Sequence, residues 1–224
     1  MKRTIVILVV LIAAPIAFAE SPPINLVVTP RIAMVLISKD ERRLNELDKA
    51  YLDVFTILRQ DNGCSRMYGG PAAIEALNEL MRIVRPTYLD RHIAVRMSGE
   101  ITVFRNGVTG FSFRMFEKAE INLAGSFYRG NAHSERRVPL VADFQPNTRR
   151  TRVALLLHEL GHLVRNADHK WVLLDDGDDL DLSVKNTELV VEVCRKEIDA
   201  VARLTVAEQL REPLTTVAEL ATLP

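Results

Sequence analysis

The chain has 224 residues and is formally neutral, with 29 lysines and arginines against 29 aspartates and glutamates. Hydrophobic residues make up 48% and charged residues 26%, which is typical of a globular protein and excludes wholesale disorder. A neutral chain gives no electrostatic support for nucleic-acid binding, so we expect no nucleic-acid partner. The length favours a single domain.

The first residues have the three parts of a secretory signal peptide. A basic pair at 2–3 precedes an unbroken apolar run over 5–14, and a small-x-small tripeptide ends at Ala19. We predict that residues 1–19 are a signal peptide cleaved after Ala19 and that residues 20–224 form one secreted or periplasmic domain. The apolar run is shorter than the ~20 residues that a bilayer requires. No other stretch is long and apolar enough, so we expect no membrane span after cleavage.

The chain has two cysteines, Cys64 and Cys194. Two cysteines exclude a small disulfide-dense scaffold, and export would place both in an oxidising compartment, where we expect them to pair. The chain-entropy model assigns such a bridge on the order of 4–5 kcal/mol, because it closes a long loop. Two buried thiols are the alternative. Neither cysteine has a close cysteine or histidine neighbour, so we exclude both as metal ligands.

The first half of the exported region has helical periodicity. Apolar residues recur at steps of three and four over 39–60, which predicts an amphipathic helix. Asp61-Asn62-Gly63 is a stop signal. A second helix is predicted to open at Gly69-Gly70-Pro71 and to be closed by Pro86, because proline suits the first turn of a helix and ends a later one.

The middle of the chain has the residue pattern of strands. The segments 93–97, 101–105, 111–116 and 120–128 are rich in β-branched and aromatic residues, or alternate in hydrophobicity. Asn106-Gly107 predicts a two-residue hairpin turn. We therefore expect a small, mostly antiparallel sheet between two helical regions.

The last third of the exported region returns to a helical pattern. A helix is predicted to begin at Asn147 or Thr148, either of which can cap it, and to run to about residue 164. An aspartate-rich loop over 168–181 follows, and a final helix is predicted over 187–210. The fold class is therefore α+β, with helices at both ends of the sheet region.

The motif that carries chemistry lies on the helix over 147–164. His158-Glu159-Leu160-Gly161-His162 is an H-E-x-x-H sequence. Residues four apart lie on the same helix face, so both imidazoles can reach one metal ion. Zinc suits imidazole nitrogens, and its tetrahedral shell can leave a position open. Glu159 can act as the general base that takes a proton from a metal-bound water. The metal ion lowers the pKa of that water and polarises the carbonyl group of the substrate.

Residues 153–164 resemble the zincin metallopeptidases, through the H-E-x-x-H sequence and the apolar run that precedes it. The resemblance implies a zincin-like fold, in which a mixed sheet packs against the metal-ligand helix and an edge strand borders the cleft. It also implies that a peptide or protein substrate lies along that strand. The strand nominated for this role is 120–128, because it comes closest before the motif; an ordinary buried strand is the alternative.

The third metal ligand is left open by the sequence. One zincin spacing places it six residues after His162, at Asp168, although glycine is expected at the position of Arg165. A second spacing takes a glutamate from the next helix, and the candidates there are Glu188, Glu192 and Glu197. The acidic loop supplies a further candidate, Asp176, unless this loop is merely solvated. Asp168 and Asp176 are the two that we retain.

Three arginines begin the motif helix. Arg149, Arg150 and Arg152 lie in its predicted first turn, where positive charge opposes the helix dipole. A solvated face is the interpretation favoured for such a cluster, and binding of an acidic partner is the alternative.

Two functions from different classes remain. The leading hypothesis is a secreted zinc-dependent hydrolase, most simply a peptidase, with His158 and His162 as ligands and Glu159 as the base. The alternative is a non-catalytic exported interaction protein that retains the H-E-x-x-H helix. The two hypotheses differ in whether the metal keeps an open, water-accessible position.

Overall fold

The computed structural model describes residues 45–90, 93–107, 110–130, 138–166, 168–177, 179–205 and 208. The predicted signal peptide lies outside these residues and stays a prediction. Within the described part of the chain, no helix combines the length and hydropathy needed to cross a membrane.

The described residues form an α+β fold. Its elements in chain order are α1 (Glu46–Arg59), α2 (Gly63–Met67), a 3-10 turn (Gly70–Ala72), α3 (Ala73–Ile83), β1 (Val84–Thr87), β2 (Val95–Arg105), β3 (Ser112–Asn122), α4 (Arg149–Leu163) and α5 (Leu180–Val201). The predicted helices and the predicted sheet region are all present. The second predicted helix is shorter than expected, because it gives way to β1 at Val84 and Pro86 lies within that strand.

The sheet is a small mixed sheet of three strands, in which the longer pairing is antiparallel. Its strand order is β1-β3-β2, with β2 antiparallel and β1 parallel to β3. The parallel pairing of β1 with β3 was not predicted, because β1 is only four residues long and contains a proline. The central position of β3 leaves β1 and β2 as the edges.

The predicted strand over 120–128 is wrong as a separate element. Its first residues belong to the end of β3, and the chain turns after Asn122. Asn122 is fully buried, and its side chain accepts from the amide of Ala124 while donating to the carbonyl of Ile93. These side-chain hydrogen bonds take the place of the backbone hydrogen bonds that a longer β3 would make with its neighbouring strands. Because β3 is central, it offers no free edge, so it is not the cleft-bordering strand that the resemblance implied.

The hairpin between β2 and β3 is longer than predicted. The amide of Asn106 donates to the carbonyl of Phe111 at 2.8 Å, and the amide of Gly110 donates back to Asn106 at 2.9 Å. Asn106 therefore continues the strand pairing instead of forming half of a two-residue turn.

Side-chain caps decide where the two long C-terminal helices begin. Thr148 caps α4, as predicted, by accepting a hydrogen bond from the amide of Thr151. Asp179 caps α5 in the same way, through the amide of Leu182. The final helix therefore begins at Leu180 rather than at residue 187, within the segment predicted to be an acidic loop.

Helix α4 forms the centre of the core. Every residue from 153 to 164 is buried, and the helix packs against α1, α5 and β3. The buried stretch therefore has apolar residues on more than one face, and each of these faces is covered by a neighbouring element. A disulfide joins one of these elements, α5, to the short helix α2, because Cys64 and Cys194 pair as predicted, with their sulfur atoms 2.03 Å apart.

Candidate metal centre

The two histidines of α4 converge on one point. His158 and His162 lie one helical turn apart and are 4% and 3% exposed. Their Nε2 atoms are 3.0 Å apart. The spacing of the H-E-x-x-H sequence therefore gives the geometry that it predicts, with both rings on one face of a rigid, buried helix.

Asp176 supplies the third group. Its Oδ2 lies 3.1 Å from Nε2 of His158, and its Oδ1 lies 3.4 Å from Nε2 of His162. Among the described residues, these three side chains form a group able to hold a metal ion. Of the two aspartates that the sequence left open, the structure therefore brings Asp176, and not Asp168, to the histidines.

The chain after α4 explains why the nearer aspartate is excluded. Arg165 and Trp171 pair as a short antiparallel bridge, and the amide of Asn166 donates to the carbonyl of Lys170 at 2.8 Å, so the chain reverses direction between them. Asp168 lies exposed in that turn, where its amide is held by the Asn166 side chain. The glycine that the zincin spacing expects at Arg165 is absent, and the chain makes a different turn.

The chain returns to α4 after this turn. The amide of Leu173 donates to the carbonyl of Gly161 at 3.0 Å, which directs the next residues along the helix and towards the histidines. A Cβ at Gly161 would lie 2.6 Å from Cγ of Leu173. The glycine inside the motif is therefore the residue that lets the returning loop approach closely enough to place Asp176.

The glutamates of the second zincin spacing do not reach the histidines. Glu188 and Glu192 are exposed on α5, and Glu197 is only half-buried on the same helix. None of the three belongs to the group formed by His158, His162 and Asp176.

The separations within the group match a tetrahedral zinc site. Zinc–nitrogen bonds of about 2.0–2.1 Å at tetrahedral angles give ligand–ligand edges of about 3.3–3.4 Å. The measured separations of 3.0, 3.1 and 3.4 Å lie close to that edge. Three protein ligands also leave the fourth position of a tetrahedron free, which is typical of catalytic zinc.

The electrostatics of the group favour a bound cation. Burial would raise the pKa of Asp176, but the hydrogen bonds of His158 and His162, and the charge that either ring has when protonated, outweigh burial and hold that pKa well below its usual range. Burial opposes the charged form of His162, yet Asp176 and Glu159 raise its pKa. The carboxylates therefore create a negative environment in which positive charge is stabilised.

Two residues of α5 contact the group and were not singled out from the sequence. Thr187 Oγ1 lies 2.9 Å from Nδ1 of His158, and Asn186 Nδ2 lies 3.3 Å from Oδ2 of Asp176. One signal for Asn186 was available, since it precedes Val190 and Cys194 at steps of four and so lies on their buried stripe. A polar residue on such a stripe needs a buried partner.

Arg114 of β3 secures the end of the motif helix. Its Nε donates to the backbone carbonyl of His162 at 2.7 Å, and its guanidinium carbon lies 4.4 Å from the ring centre of Trp171. Its Nη2 lies 3.9 Å from the carboxylate of Asp175. Burial lowers the pKa of this guanidinium, and Asp175 partly offsets the effect. Nothing in the strand pattern distinguished this arginine from an exposed one.

Glu159 lies beside the two histidines but faces the sheet. It is 8% exposed, and its carboxylate has no hydrogen-bond partner among the described residues. It borders a small cavity whose other walls are apolar, formed by Leu80, Val84, Val95, Ile121, Phe127 and Leu156. Burial raises the pKa of Glu159, while His158 and His162 oppose the rise. A raised pKa makes a carboxylate a stronger base.

A separate groove of the described structure lies apart from this group. It runs past Gly69, Gly70, Phe111 and Arg165, and no residue of the metal-binding group lines it. The site is therefore defined by its converging ligand atoms and not by cavity size.

Comparison with known protein families, with curated proteins and with solved structures finds no match to this chain.

Proposed function

We propose that the protein is a secreted zinc-dependent hydrolase that cleaves peptide bonds, with a zincin-like arrangement of its motif helix. The observation that carries the proposal is the convergence of His158, His162 and Asp176, with Glu159 on the same turn of α4. Two imidazoles, one carboxylate and an open fourth position are typical of catalytic zinc.

The hydrogen bonds around His158 favour a cation between the ligands. The Thr187 hydroxyl donates its proton to the Ser183 carbonyl at 2.9 Å, so it accepts from Nδ1–H of His158. Nε2 of a neutral His158 then carries a lone pair and faces a carboxylate oxygen of Asp176 at 3.1 Å. Two acceptors at that distance need positive charge between them. A proton can bridge one pair of acceptors, whereas a metal ion satisfies all three ligands together.

When zinc is bound, it acidifies a water in its shell and polarises a carbonyl group. The chain itself supplies the proton transfer. Glu159 follows the first ligand directly and is within electrostatic range of both histidines. In the proposed reaction it takes a proton from the attacking water and delivers it to the leaving nitrogen. A peptide substrate is proposed on the strength of the H-E-x-x-H sequence.

Secretion is supported by two independent features of the chain. The N-terminal segment has the charge, apolar core and cleavage pattern of a signal peptide. The Cys64–Cys194 pair is consistent with an oxidising compartment.

The test is hydrolysis of a mixed peptide library, followed by mass spectrometry, with wild-type protein and Glu159→Gln. Loss of the base is expected to lower turnover by about 10²–10⁴-fold, while zinc content stays unchanged because Glu159 is not a ligand. Glu192→Gln, an exposed carboxylate on α5, is the matched control and should cleave like the wild type. Turnover by Glu159→Gln at the wild-type rate would refute the mechanism. A zinc-bound protein that cleaves no peptide would support the non-catalytic alternative instead.

A further inference from the structure

We propose that Asn186 and Thr187, adjacent residues in α5, are positioning residues that orient two of the three metal ligands. The inference rests on the proposed metal site and extends it to a second helix. His158 and His162 come from α4, but the orientation of His158 and of Asp176 is set from α5.

Thr187 fixes the orientation of His158. Its hydroxyl is part of a chain that runs from Nδ1 of His158 through Oγ1 to the carbonyl of Ser183, with both distances 2.9 Å. The Ser183 carbonyl can only accept, so the hydroxyl proton is directed to it and the imidazole proton is held on Nδ1. Nε2 is thereby left unprotonated on the side that faces His162 and Asp176. The hydrogen bond to Thr187 therefore selects this tautomer before metal binds, so metal binding does not have to supply the free energy of that selection.

Asn186 fixes the carboxylate of Asp176. Its side-chain amide lies 3.0 Å from the carbonyl of Leu174 and 3.3 Å from Oδ2 of Asp176. Both of these partners are acceptors, so the NH₂ group, and not the oxygen, must face them. Asn186 is 6% exposed, which leaves it little freedom to leave this position. The same amide therefore holds both the backbone of the acidic loop and the oxygen nearest His158.

The experiment is a zinc titration against a competing chelator, carried out on full-length protein. Thr187→Val keeps the side-chain shape and removes the hydroxyl, and it is expected to weaken zinc binding by about 10–100-fold. Thr187→Ser restores the hydroxyl and should restore affinity to near the wild-type value. Asn186→Leu should also weaken binding within the same range. Ser183→Ala is the matched control on the same helix, because Ser183 contributes only its backbone carbonyl to the chain of hydrogen bonds.

The outcomes separate this inference from the proposed function. If the wild type binds no zinc, both fail. If the wild type binds zinc and Thr187→Val binds it equally well, or if Thr187→Ser is as weak as Thr187→Val, only the positioning role is refuted.

A second measurement needs no substitution at Thr187 and so does not depend on a variant folding. Nitrogen-15 NMR of the histidine rings in zinc-loaded wild-type protein should show His158 protonated at Nδ1 and coordinated through Nε2. The opposite arrangement would refute the role assigned to Thr187.

Discussion

Nε2 of His158 lies 3.1 Å from Oδ2 of Asp176, although 18 residues separate them in the chain. This contact distinguishes the two aspartates that the sequence could not separate. It also places the third proposed ligand on a returning loop and not in the turn that follows the motif.

Replacement of Asp176 by Asn should remove most of the zinc affinity. The change keeps the shape of the side chain but withdraws the negative charge that balances the ion. The loss should exceed the 10–100-fold that is typical of an outer-shell substitution. Asp168→Asn is the matched control, and its affinity should equal that of the wild type, because Asp168 is exposed and apart from the histidines. The reverse ranking in a chelator-competition titration would restore Asp168 as the ligand.

Replacement of Gly161 by Ala should destabilise the fold. Its Cβ would lie 2.6 Å from Cγ of Leu173, which is 1% exposed and cannot move aside freely. Overpacking of this kind costs about 1–3 kcal/mol, and a clash of 2.6 Å with a buried side chain should bring the cost above the helix-propensity gain of about 1 kcal/mol from Gly to Ala. Urea denaturation of the metal-free protein measures the effect.

Two variants test the cause of that loss. Gly63→Ala, at a helical glycine with nothing within 4 Å of the added Cβ, should be neutral or stabilising. The double variant Gly161→Ala/Leu173→Ala should lose less stability than the two single losses combined, because the clash is removed. Strict additivity would show that the contact with Leu173 is not responsible.

Loss of the disulfide should lower the free energy of unfolding substantially. The bridge spans a sequence separation of 130 residues, for which the chain-entropy model gives on the order of 4–5 kcal/mol. Cys64→Ala/Cys194→Ala and reduced wild-type protein should therefore denature at similar, lower urea concentrations. A reductant should not change the denaturation midpoint of the double variant. A wild-type midpoint that is insensitive to reduction would contradict this assignment.

The ion pair between Asp53 and Arg149 should contribute more than the surface pairs. Asp53 of α1 is fully buried and receives hydrogen bonds from Arg149 Nε at 2.7 Å and Nη2 at 2.6 Å. Breaking a buried pair costs about 3–5 kcal/mol, and Asp53→Asn should fall at the lower end because Arg149 is partly exposed. The exposed pair Asp61–Arg66 supplies the control, since Asp61→Asn should cost about 0–1 kcal/mol. Equal losses in thermal denaturation would contradict the ranking.

Local features of the sequence were enough to predict the motif helix and its beginning. The Thr148 cap and the spacing of His158 and His162 depend on residues within one or two turns of each other, so the chain's own periodicity determines them. The cysteine pairing was predictable for another reason, because a chain with two cysteines has only one possible intramolecular disulfide.

The third ligand and the strand order of the sheet depend on contacts between distant residues, which local sequence patterns do not predict. Asp176 reaches the histidines only because Arg165 and Trp171 pair and Leu173 returns to Gly161. β3 is central because it also pairs with β1, a four-residue strand that lies outside the predicted strands. Such placements are set by tertiary packing, which overrides local propensity.

The partners of the three arginines in the first turn of α4 were also not predictable from local sequence patterns. A solvated face was the favoured interpretation, but the three arginines have partners within the protein. Arg149 pairs with Asp53, Arg150 with Asp199, and Arg152 with Glu46. Their acidic partners lie on α1 and α5, so the charges join α4 to its neighbours. Positive charge at this helix start is offset by carboxylates that only the fold brings near.

The most direct test of the central claim is the anomalous X-ray signal at the zinc absorption edge, from crystals of the protein loaded with one equivalent of zinc. We expect one peak within about 2.0–2.2 Å of Nε2 of His158, Nε2 of His162 and a carboxylate oxygen of Asp176. A protein that takes up no zinc, or a peak bound by other residues, would contradict the proposed metal centre and the hydrolase built on it.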